Sequence, residues 1–234
     1  DRATELVLEN LSFTLAPGAV LGVLGRTGSG KSTLARLLLR LYDPTTGAIC
    51  LQGHNLRHLP LAELRRAVGA VTQEVQLFHA TVRENLTLFD PTFSDSQLVQ
   101  VIGELGLAEW FNRLPAGLDT ILEAGSGSLS GGEAQLLALT RLFLRNPGLV
   151  ILDEASSRLD PATERLLEQA IERLLVGRTA IIIAHRLATV QQADQILILE
   201  KGQMVEYGER VQLAANPASR FAQLLQLGLE KELA

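Results

Sequence analysis

The sequence predicts an α/β fold in which short buried strands alternate with helices. Continuous apolar runs at residues 149–152 and 180–183 are typical of strands that a parallel sheet buries on both faces. A third run, residues 19–24, leads into a glycine-rich loop and then into a row of strong helix formers from Thr33. A helix predicted over residues 161–175 separates the first two runs, and elements that alternate in this way form layered α/β cores.

The composition is typical of a globular protein. With 234 residues and 47% apolar side chains, the chain can form one large domain or two small ones. It contains neither the roughly 18 uninterrupted apolar residues of a membrane span nor the pattern of a signal peptide. The single cysteine, Cys50, excludes an internal disulfide, fits a reducing compartment and is expected to be buried. The net charge is −5, and without a basic stripe the few neighbouring arginines are interpreted as solvated helix faces rather than a nucleic-acid footprint. Composition thus predicts a soluble cytosolic protein and indicates no particular partner.

Local patterns predict the remaining elements. From Ser94 to Arg145 the chain is almost wholly helical, with Ser94 as an N-cap, so we place a helical insertion at residues 76–145. A short helix begins after Pro60, and two helical segments finish the chain. The further predicted strands cover residues 6–15, 48–51, 68–71 and 195–199, with a hairpin turn at 201–204.

The glycine-rich loop, residues 25–32, reads GRTGSGKS and fits G-x-x-x-x-G-K-[ST] at every fixed position. Its glycines let successive backbone N–H groups point at phosphate oxygens, while Lys31 can reach the terminal phosphates and Ser32 can offer its hydroxyl to Mg²⁺. An ordinary glycine-rich turn between a strand and a helix has no need of the Lys-Ser ending. We therefore call it the phosphate loop. The predicted phosphate-binding residues are Gly25, Arg26, Thr27, Gly28, Ser29, Gly30, Lys31, Ser32 and Thr33.

Two adjacent carboxylates, Asp153 and Glu154, follow the apolar run at 149–152. The end of a buried strand is where α/β sheets form their sites. Mg²⁺ on a nucleotide needs an oxygen ligand, for which Asp153 is suited, and a second carboxylate can orient or deprotonate an attacking water. Such pairs also occur in solvated loops, but the upstream phosphate loop favours the functional interpretation.

Residues 129–133, here called the signature segment, read LSGGE and begin a long helix at Gly131 or Gly132. A serine and two glycines at a helix start make a second backbone anion site within one chain. One phosphate loop and a second phosphate-facing helix start suggest two nucleotides shared between two subunits. The alternative is an ordinary N-capped helix.

With these motifs in order, the chain resembles the nucleotide-binding domains of the ATP-binding-cassette (ABC) family. Those domains carry a Walker A motif, a Q-loop, an LSGGQ-type signature, a Walker B motif with a catalytic glutamate, a D-loop and a switch histidine. The matching positions are residues 25–32, Gln73, 129–133, 149–154, 157–160 and His185. The resemblance implies a RecA-like P-loop NTPase core with an N-terminal antiparallel β subdomain over residues 1–75 and 146–234. It places an inserted α-helical subdomain at 76–145.

The resemblance also implies a role for each matching residue. The phosphate loop and Lys31 hold the phosphates of ATP, while Ser130, Gly131 and Gly132 close over the nucleotide of the opposite subunit and Asp160 links the two sites. The implied catalytic residues are Glu154 as general base, His185 at the γ-phosphate and Gln73 at the attacking water. The implied Mg²⁺ site consists of Ser32, Gln73 and Asp153.

Residues 77–86 and 184–189 are similar to stretches of exporter-type domains. In such exporters the domain follows a membrane segment in the same polypeptide and pairs with a second nucleotide-binding domain, as a homodimer or a heterodimer. The resemblance therefore implies an ATPase at the cytoplasmic face of a membrane, with ATP and Mg²⁺ and without nucleic acid. The cargo is selected by the membrane region and cannot be read from these residues.

Three features depart from the family pattern. The signature continues Glu133-Ala134 where Gln-Arg is usual, and Arg158 stands where the D-loop usually has a small residue. The family's adenine-stacking aromatic residue lies upstream of the position where this sequence starts, so we expect the native polypeptide to extend further upstream.

Two other functions remain open alternatives. Non-transport relatives, such as DNA-repair or chromosome-structuring ATPases, carry coiled-coil insertions, but residues 31–130 contain no sustained heptads. The second alternative is a module that binds nucleotide without hydrolysing it. The intact Glu154 and His185 argue against this alternative.

Overall fold

The computed structural model describes residues 7–72, 75–123, 129–153, 160–184 and 187–227. Gln73, Glu154, Arg158 and His185 lie outside these described residues. The chain forms two compact units: residues 1–69, 148–154 and 177–234 make the first, and residues 70–147 and 155–176 make the second. The predicted boundaries of the helical insertion, 76 and 145, stay a prediction. The helix after Asp160 is grouped with the second unit here, whereas the sequence analysis assigned it to the core.

The described strands and helices follow the predicted alternation. The strands are β1 (Val20–Leu24), β2 (Cys50–Leu51), β3 (His54–Asn55), β4 (Val68–Val71), β5 (Ala80–Thr81), β6 (Ile121–Leu122), β7 (Leu149–Asp153), β8 (Thr179–Ile183), β9 (Gln195–Glu200) and β10 (Gln203–Glu209). The α-helices are α1 (Lys31–Leu38), α2 (Leu61–Ala67), α3 (Val82–Thr87), α4 (Asp95–Glu104), α5 (Ala108–Asn112), α6 (Gly131–Arg145), α7 (Pro161–Leu175), α8 (Arg210–Ala215) and α9 (Arg220–Leu227). Short 3₁₀ helices cover Leu56–His58, Gly117–Asp119 and Leu187–Gln192.

A six-stranded sheet has the order β10-β9-β1-β8-β7-β4, and all its strands except β4, which the unit boundary at residues 69–70 divides, belong to the first unit. Strand β1 is parallel to β8 and β9, and β8 is parallel to β7, whereas β10 runs antiparallel to β9 at one edge. Every residue of β1 is buried, as predicted for a strand covered on both faces. Val23 pairs with Ile183, and Ile183 pairs with Asp153. The carboxyl ends of β1, β8 and β7 therefore lie level at one edge of the sheet.

Residues 10–15 alternate between exposed and half-buried, but residues 7–15 do not form the regular strand predicted over 6–15. It runs beside β10, where Glu9 makes a single parallel bridge with Gln203 and the Tyr207 hydroxyl donates to the carbonyl of Thr14 at 2.6 Å. Asn10 has a φ of 52°, a left-handed conformation that breaks the extended ladder. The sequence analysis predicted an N-terminal antiparallel subdomain. In the described residues of this region, the antiparallel pairing consists of the two-residue ladder between β2 and β3.

Cys50 is exposed, so the prediction that it is buried is wrong. The residue lies on β2, which pairs with β3 over only two residues on each strand. Such a short hairpin has too little sheet to cover both faces, and Ile49 and Leu51, on either side of Cys50, take the half-buried positions.

The turn between β9 and β10 supports the phosphate loop from behind. Gly202 donates its N–H to the carbonyl of Ser29 at 3.0 Å, and its own carbonyl accepts from the N–H of Glu9 at 2.8 Å. A Cβ on Gly202 would lie 2.2 Å from the carbonyl oxygen of Val7. Only glycine allows the turn to fit this closely between the N-terminal segment and the loop.

The second unit is mainly helical, as predicted for the insertion. Helix α6 packs against α3, α4 and α7, and its buried face includes Leu136, Leu137 and Leu139. Helix α4 begins at the predicted Ser94 cap, and Trp110 of α5 is buried. The N-terminus of α6 is thus fixed by a packed helical core.

Replacing Gly202 by alanine tests the close approach at the β9–β10 turn. Gly53 is the matched control, because both glycines have a φ of 80° but a Cβ at Gly53 meets no atom within 4 Å. Each substitution should cost about 1–2 kcal/mol for the left-handed backbone, and Gly202→Ala should cost about 1–3 kcal/mol more for overpacking. Urea unfolding of the two variants measures the difference. Equal destabilisation would contradict the tight contact with Val7.

Candidate functional site

The phosphate loop connects β1 to α1 at the carboxyl edge of the sheet. Gly25 is buried where the chain leaves β1, and a Cβ there would lie 2.4 Å from the carbonyl oxygen of Leu199 and 2.5 Å from Ser29 Oγ. The first glycine of the motif is therefore required for close packing beneath the loop. Residues 26–28 are exposed, so the outer part of the loop is accessible to a ligand.

Helix α1 begins without a side-chain cap. Its N-cap is Gly30, no side chain accepts a hydrogen bond there, and the first turn contains no acidic residue. The starts of α2, α5 and α8 likewise have no side-chain cap, whereas α3, α4, α6 and α7 are capped by Thr81, Ser94, Ser130 and Asp160, respectively. The first N–H groups of a helix need partners, and the dipole favours an anion at this end. The start of α1 is thus suited to hold a phosphate group.

Lys31 is buried, with 4% of its surface exposed, at the first position of α1. Its Nζ donates to the carbonyl of Gly25 and, at 3.2 Å, to the carbonyl of Arg26. Burial lowers the pKa of Lys31, and the negative charge of Asp153 partly opposes that shift. Since removal from water disfavours the ammonium, a phosphate beside it would gain a strong charge-assisted hydrogen bond.

Asp153 is the last residue of β7, half-buried and level with Ile183 of β8. Its charge acts on Lys31, so both belong to one electrostatic site. Ser32 lies exposed in the first turn of α1. A hydroxyl and a carboxylate fit Mg²⁺, which is usually bound by one or two carboxylates together with phosphate oxygens and water. The residues present therefore fit a magnesium–nucleotide ligand.

The signature segment lies in the second unit and caps α6. Ser130 Oγ accepts from the N–H of Glu133 at 3.2 Å, and a Glu133 carboxylate oxygen accepts from the N–H of Ser130 at 2.8 Å. The helix begins at Gly131, as predicted, and Ser130 and Gly131 are exposed. A reciprocal capping box thus occupies part of the predicted anion site.

Asp160 caps α7. Its carboxylate accepts from the N–H groups of Thr163 at 3.0 Å and Ala162 at 3.1 Å, and hydrogen bonding, chiefly from Thr163, lowers the pKa of Asp160. The structure gives it this local role, while the predicted link between two nucleotide sites stays a prediction. Of the predicted site residues, the first unit brings together the phosphate loop, Lys31, Ser32 and Asp153.

Two arginines were missed by the sequence analysis. Arg141 of α6 donates to the carbonyl of Asn85 at 2.8 Å and through both terminal nitrogens to the carbonyl of Gln76 at 3.0 Å. Burial, together with the charge of Arg145, lowers the pKa of Arg141 to about 10. It thus ties the helix of the signature segment to the chain just after Gln73. An arginine inside the apolar row of α6 was a detectable signal. Arg113 contacts Glu133, and no sequence pattern around Arg113 indicated this contact.

Comparison with known proteins identifies the family. A family model described as "ABC transporter" matches residues 8–157. The chain belongs to the ABC transporter family. The predictions of the family, of the P-loop α/β fold and of an ATPase domain are thereby confirmed.

Relatives of this ABC domain are much longer than the chain. It is 41% identical over 210 residues to the ATP-dependent lipid A-core flippase of Xylella fastidiosa, covering 89% of this chain and 36% of the relative. It is 45% identical over 228 residues to the mycobactin import ATP-binding/permease protein IrtA of Mycolicibacterium smegmatis, covering 97% and 26%. A bacterial Atm1-family ABC exporter solved with ATP bound superimposes with a TM-score of 0.85 at 35% identity, covering 94% and 38%. Among the described residues of the ABC domain, no helix has the length and apolar character needed to cross a bilayer.

The lowered pKa of Lys31 predicts an alkaline loss of ATP affinity. In the free protein the ammonium should lose its proton below the ordinary pKa of 10.5. As the pH rises through the lowered pKa, the charge that attracts phosphate disappears and ATP affinity falls. Calorimetric titrations with ATP from about pH 7 to about pH 10 measure this loss.

Lys31→Arg is the control for the pH series, because an arginine stays protonated throughout this range. Its affinity is expected to be weaker, since the planar guanidinium does not match the point contact of the ammonium, but nearly independent of pH. A parallel alkaline loss in both proteins would assign the titration to another group.

Proposed function

We propose that this ABC domain powers export by a membrane-embedded transporter, pairing head-to-tail with a second nucleotide-binding domain around two ATP molecules. The observation that carries the nucleotide-binding part of this proposal is the desolvated ammonium of Lys31 at the uncapped start of α1, with Asp153 in the same electrostatic site. Such a site gains most from a ligand that brings negative charge and accepts backbone N–H groups. The terminal phosphates of ATP do both.

In this proposal, residues of the chain hold and orient the reactants. Backbone N–H groups of the phosphate loop and Lys31 bind the phosphates, and Ser32 and Asp153, with Gln73, hold Mg²⁺ and the attacking water in place. Mg²⁺, when bound, neutralises phosphate charge as it develops. Glu154 accepts the proton of the water, and His185 contacts the γ-phosphate.

The second half of each site comes from the partner domain. Ser130, Gly131 and Gly132 of one domain contact the nucleotide held by the other, and Asp160 links the two sites. Binding of ATP therefore closes the pair, and hydrolysis reopens it. Support comes from the exposure of Ser130 and Gly131 at the start of α6 and from the neighbour solved as an exporter with ATP bound, whereas Gly132 is buried.

The membrane segment belongs to the same polypeptide and places this domain at the cytoplasmic face. The exporter-like stretch at residues 77–86 and the similarity to the lipid A-core flippase, of which the chain covers 36%, support this arrangement. The relatives' names differ in cargo and in direction, since one of them is an import protein. Export is therefore proposed from the exporter-like stretch at residues 77–86 and the exporter neighbour rather than from the relatives as a group, and the cargo is assigned to the membrane segment.

Glu154→Gln tests the proposed chemistry. The amide keeps the shape of the side chain but cannot accept the proton, so hydrolysis should slow by about 10²–10⁴-fold while ATP still binds. Phosphate release and ATP binding are measured in parallel. Glu168→Gln, at an exposed position of α7, is the control and should hydrolyse ATP at the wild-type rate. Wild-type turnover in Glu154→Gln would show that this residue is not the base.

Lys31→Ala separates binding from chemistry in the same assay. Loss of the ammonium leaves the backbone N–H groups alone against the phosphate charge, so ATP affinity should fall sharply. A wild-type dissociation constant for ATP would contradict the assignment of the phosphate loop.

A further inference from the structure

The helix start of the signature segment differs electrostatically from that of the phosphate loop. At α6 the carboxylate of Glu133 closes the capping box with Ser130, so a full negative charge sits at the helix N-terminus. The first turn of α1 contains no acidic residue. A carboxylate in this place stabilises the helix dipole, but it also repels any phosphate that approaches the same N–H groups.

Arg113 lies beside this carboxylate. Its Nη2 donates to Glu133 Oε1 at 3.2 Å, on the carboxylate oxygen that is not used in the capping box. Arg113 is the C-cap residue that follows α5, and its N–H donates to the carbonyl of the buried Trp110 at 3.1 Å. The side chain therefore extends from a fixed backbone position. The two opposite charges leave the start of α6 without a net charge.

We propose that Arg113 is a positioning residue that neutralises Glu133, so that the start of α6 can receive the phosphates of an ATP molecule held by the partner domain. The inference rests on the proposed function, in which Ser130, Gly131 and Gly132 contact that nucleotide. An arginine is suited to the task because its guanidinium stays charged at every working pH and can remain bound to a carboxylate while partly hydrated.

The chain itself shows that the charge of Glu133 is not needed for the cap. Helix α4 begins with the same box, in which a neutral glutamine, Gln97, replaces the glutamate. The N–H of Ser94 donates to Gln97 Oε1 at 2.9 Å, and the N–H of Gln97 donates to Ser94 Oγ at 3.4 Å. Glu133→Gln should therefore keep the helix start and remove only the charge.

A double-mutant series in the full-length transporter tests the proposal through the KM for ATP of its ATPase activity. Arg113→Ala leaves the Glu133 carboxylate uncompensated and should raise the KM about 3- to 10-fold with a smaller change in kcat. Glu133→Gln should keep the KM at or below the wild-type value. The double variant should behave like Glu133→Gln, because removing the carboxylate removes the need for the arginine.

Ionic strength gives a second readout that a purely structural role would not change. The excess KM of Arg113→Ala over wild type should shrink as salt rises from about 0.05 M to about 0.5 M, because the repulsion is screened. Gln97→Glu is the matched control: it adds a carboxylate at the same cap position of α4 and should leave the KM unchanged.

Several results would overturn the inference. Wild-type behaviour of Arg113→Ala would do so, as would a KM defect of equal size in the wild-type and Glu133→Gln backgrounds. An equal rise in KM for Gln97→Glu would assign the effect to the net charge of the domain.

Lys31→Ala, assayed alongside, distinguishes failure of the proposed function from failure of this inference alone. If Lys31→Ala hydrolyses ATP normally, the proposed function fails and this inference with it. If only Lys31→Ala is impaired, the inference alone fails.

Discussion

The ammonium of Lys31 lies out of water between backbone carbonyls of its own loop, and the first unit is arranged so that this is tolerable. Strand β1 delivers the loop at the carboxyl edge of the sheet, and β7 brings Asp153 to the same edge, where its charge offsets part of the cost of burial. The loop cannot relax away from the lysine, because the glycine turn after β9 holds the carbonyl of Ser29. The shape of the loop and the local charge balance are thus both tied to the position of this one cation.

The two helix starts predicted to face phosphate solve the same electrostatic problem in different ways. Helix α1 leaves its first N–H groups to the ligand and places a lysine beside them. Helix α6 satisfies its own end with Ser130 and Glu133, and the arginine that follows α5 balances the added charge. The first arrangement favours tight holding of phosphate. The second gives a helix end whose first N–H groups are already partly satisfied by the chain's own side chains.

Much of this arrangement follows from local sequence patterns. The run LVIL before Asp153 and the proline-led helix after Asp160 correspond to β7 and α7, because both signals are complete within a few residues. The phosphate loop and the start of α6 were likewise predicted by motifs that specify their own backbone geometry. The assignments of Gln73, Glu154 and His185 stay predictions that rest on the resemblance.

Features that depend on distant residues could not be predicted in this way. The alternation in residues 7–15 indicated a strand, but pairing with β10 is limited by the left-handed Asn10. Cys50 lies in an apolar run, but exposure depends on what covers β2. The contacts of Arg113 and Arg141 join residues 20 and 56 positions apart or more, and no short motif announces them. The type of a residue indicated which chemistry it could perform, but the residues that it contacts depend on the tertiary structure.

The position of β1 in the sheet also bears on how the domain is made. Its hydrogen-bonded neighbours are β8 and β9: Val20 pairs with Ala180, and Leu21 pairs with Gln195. Strand β1 can therefore pair only after these later residues have been synthesised. During synthesis the phosphate loop leaves the ribosome early, yet the strands that fix it are translated roughly 160 residues later, at about 5–20 residues per second. A nascent chain should therefore be unable to hold nucleotide until nearly all of the domain has emerged. Nucleotide binding should therefore mark the point at which the strands of the first unit have been synthesised and paired, and pairing between segments so distant in sequence is intrinsically slow.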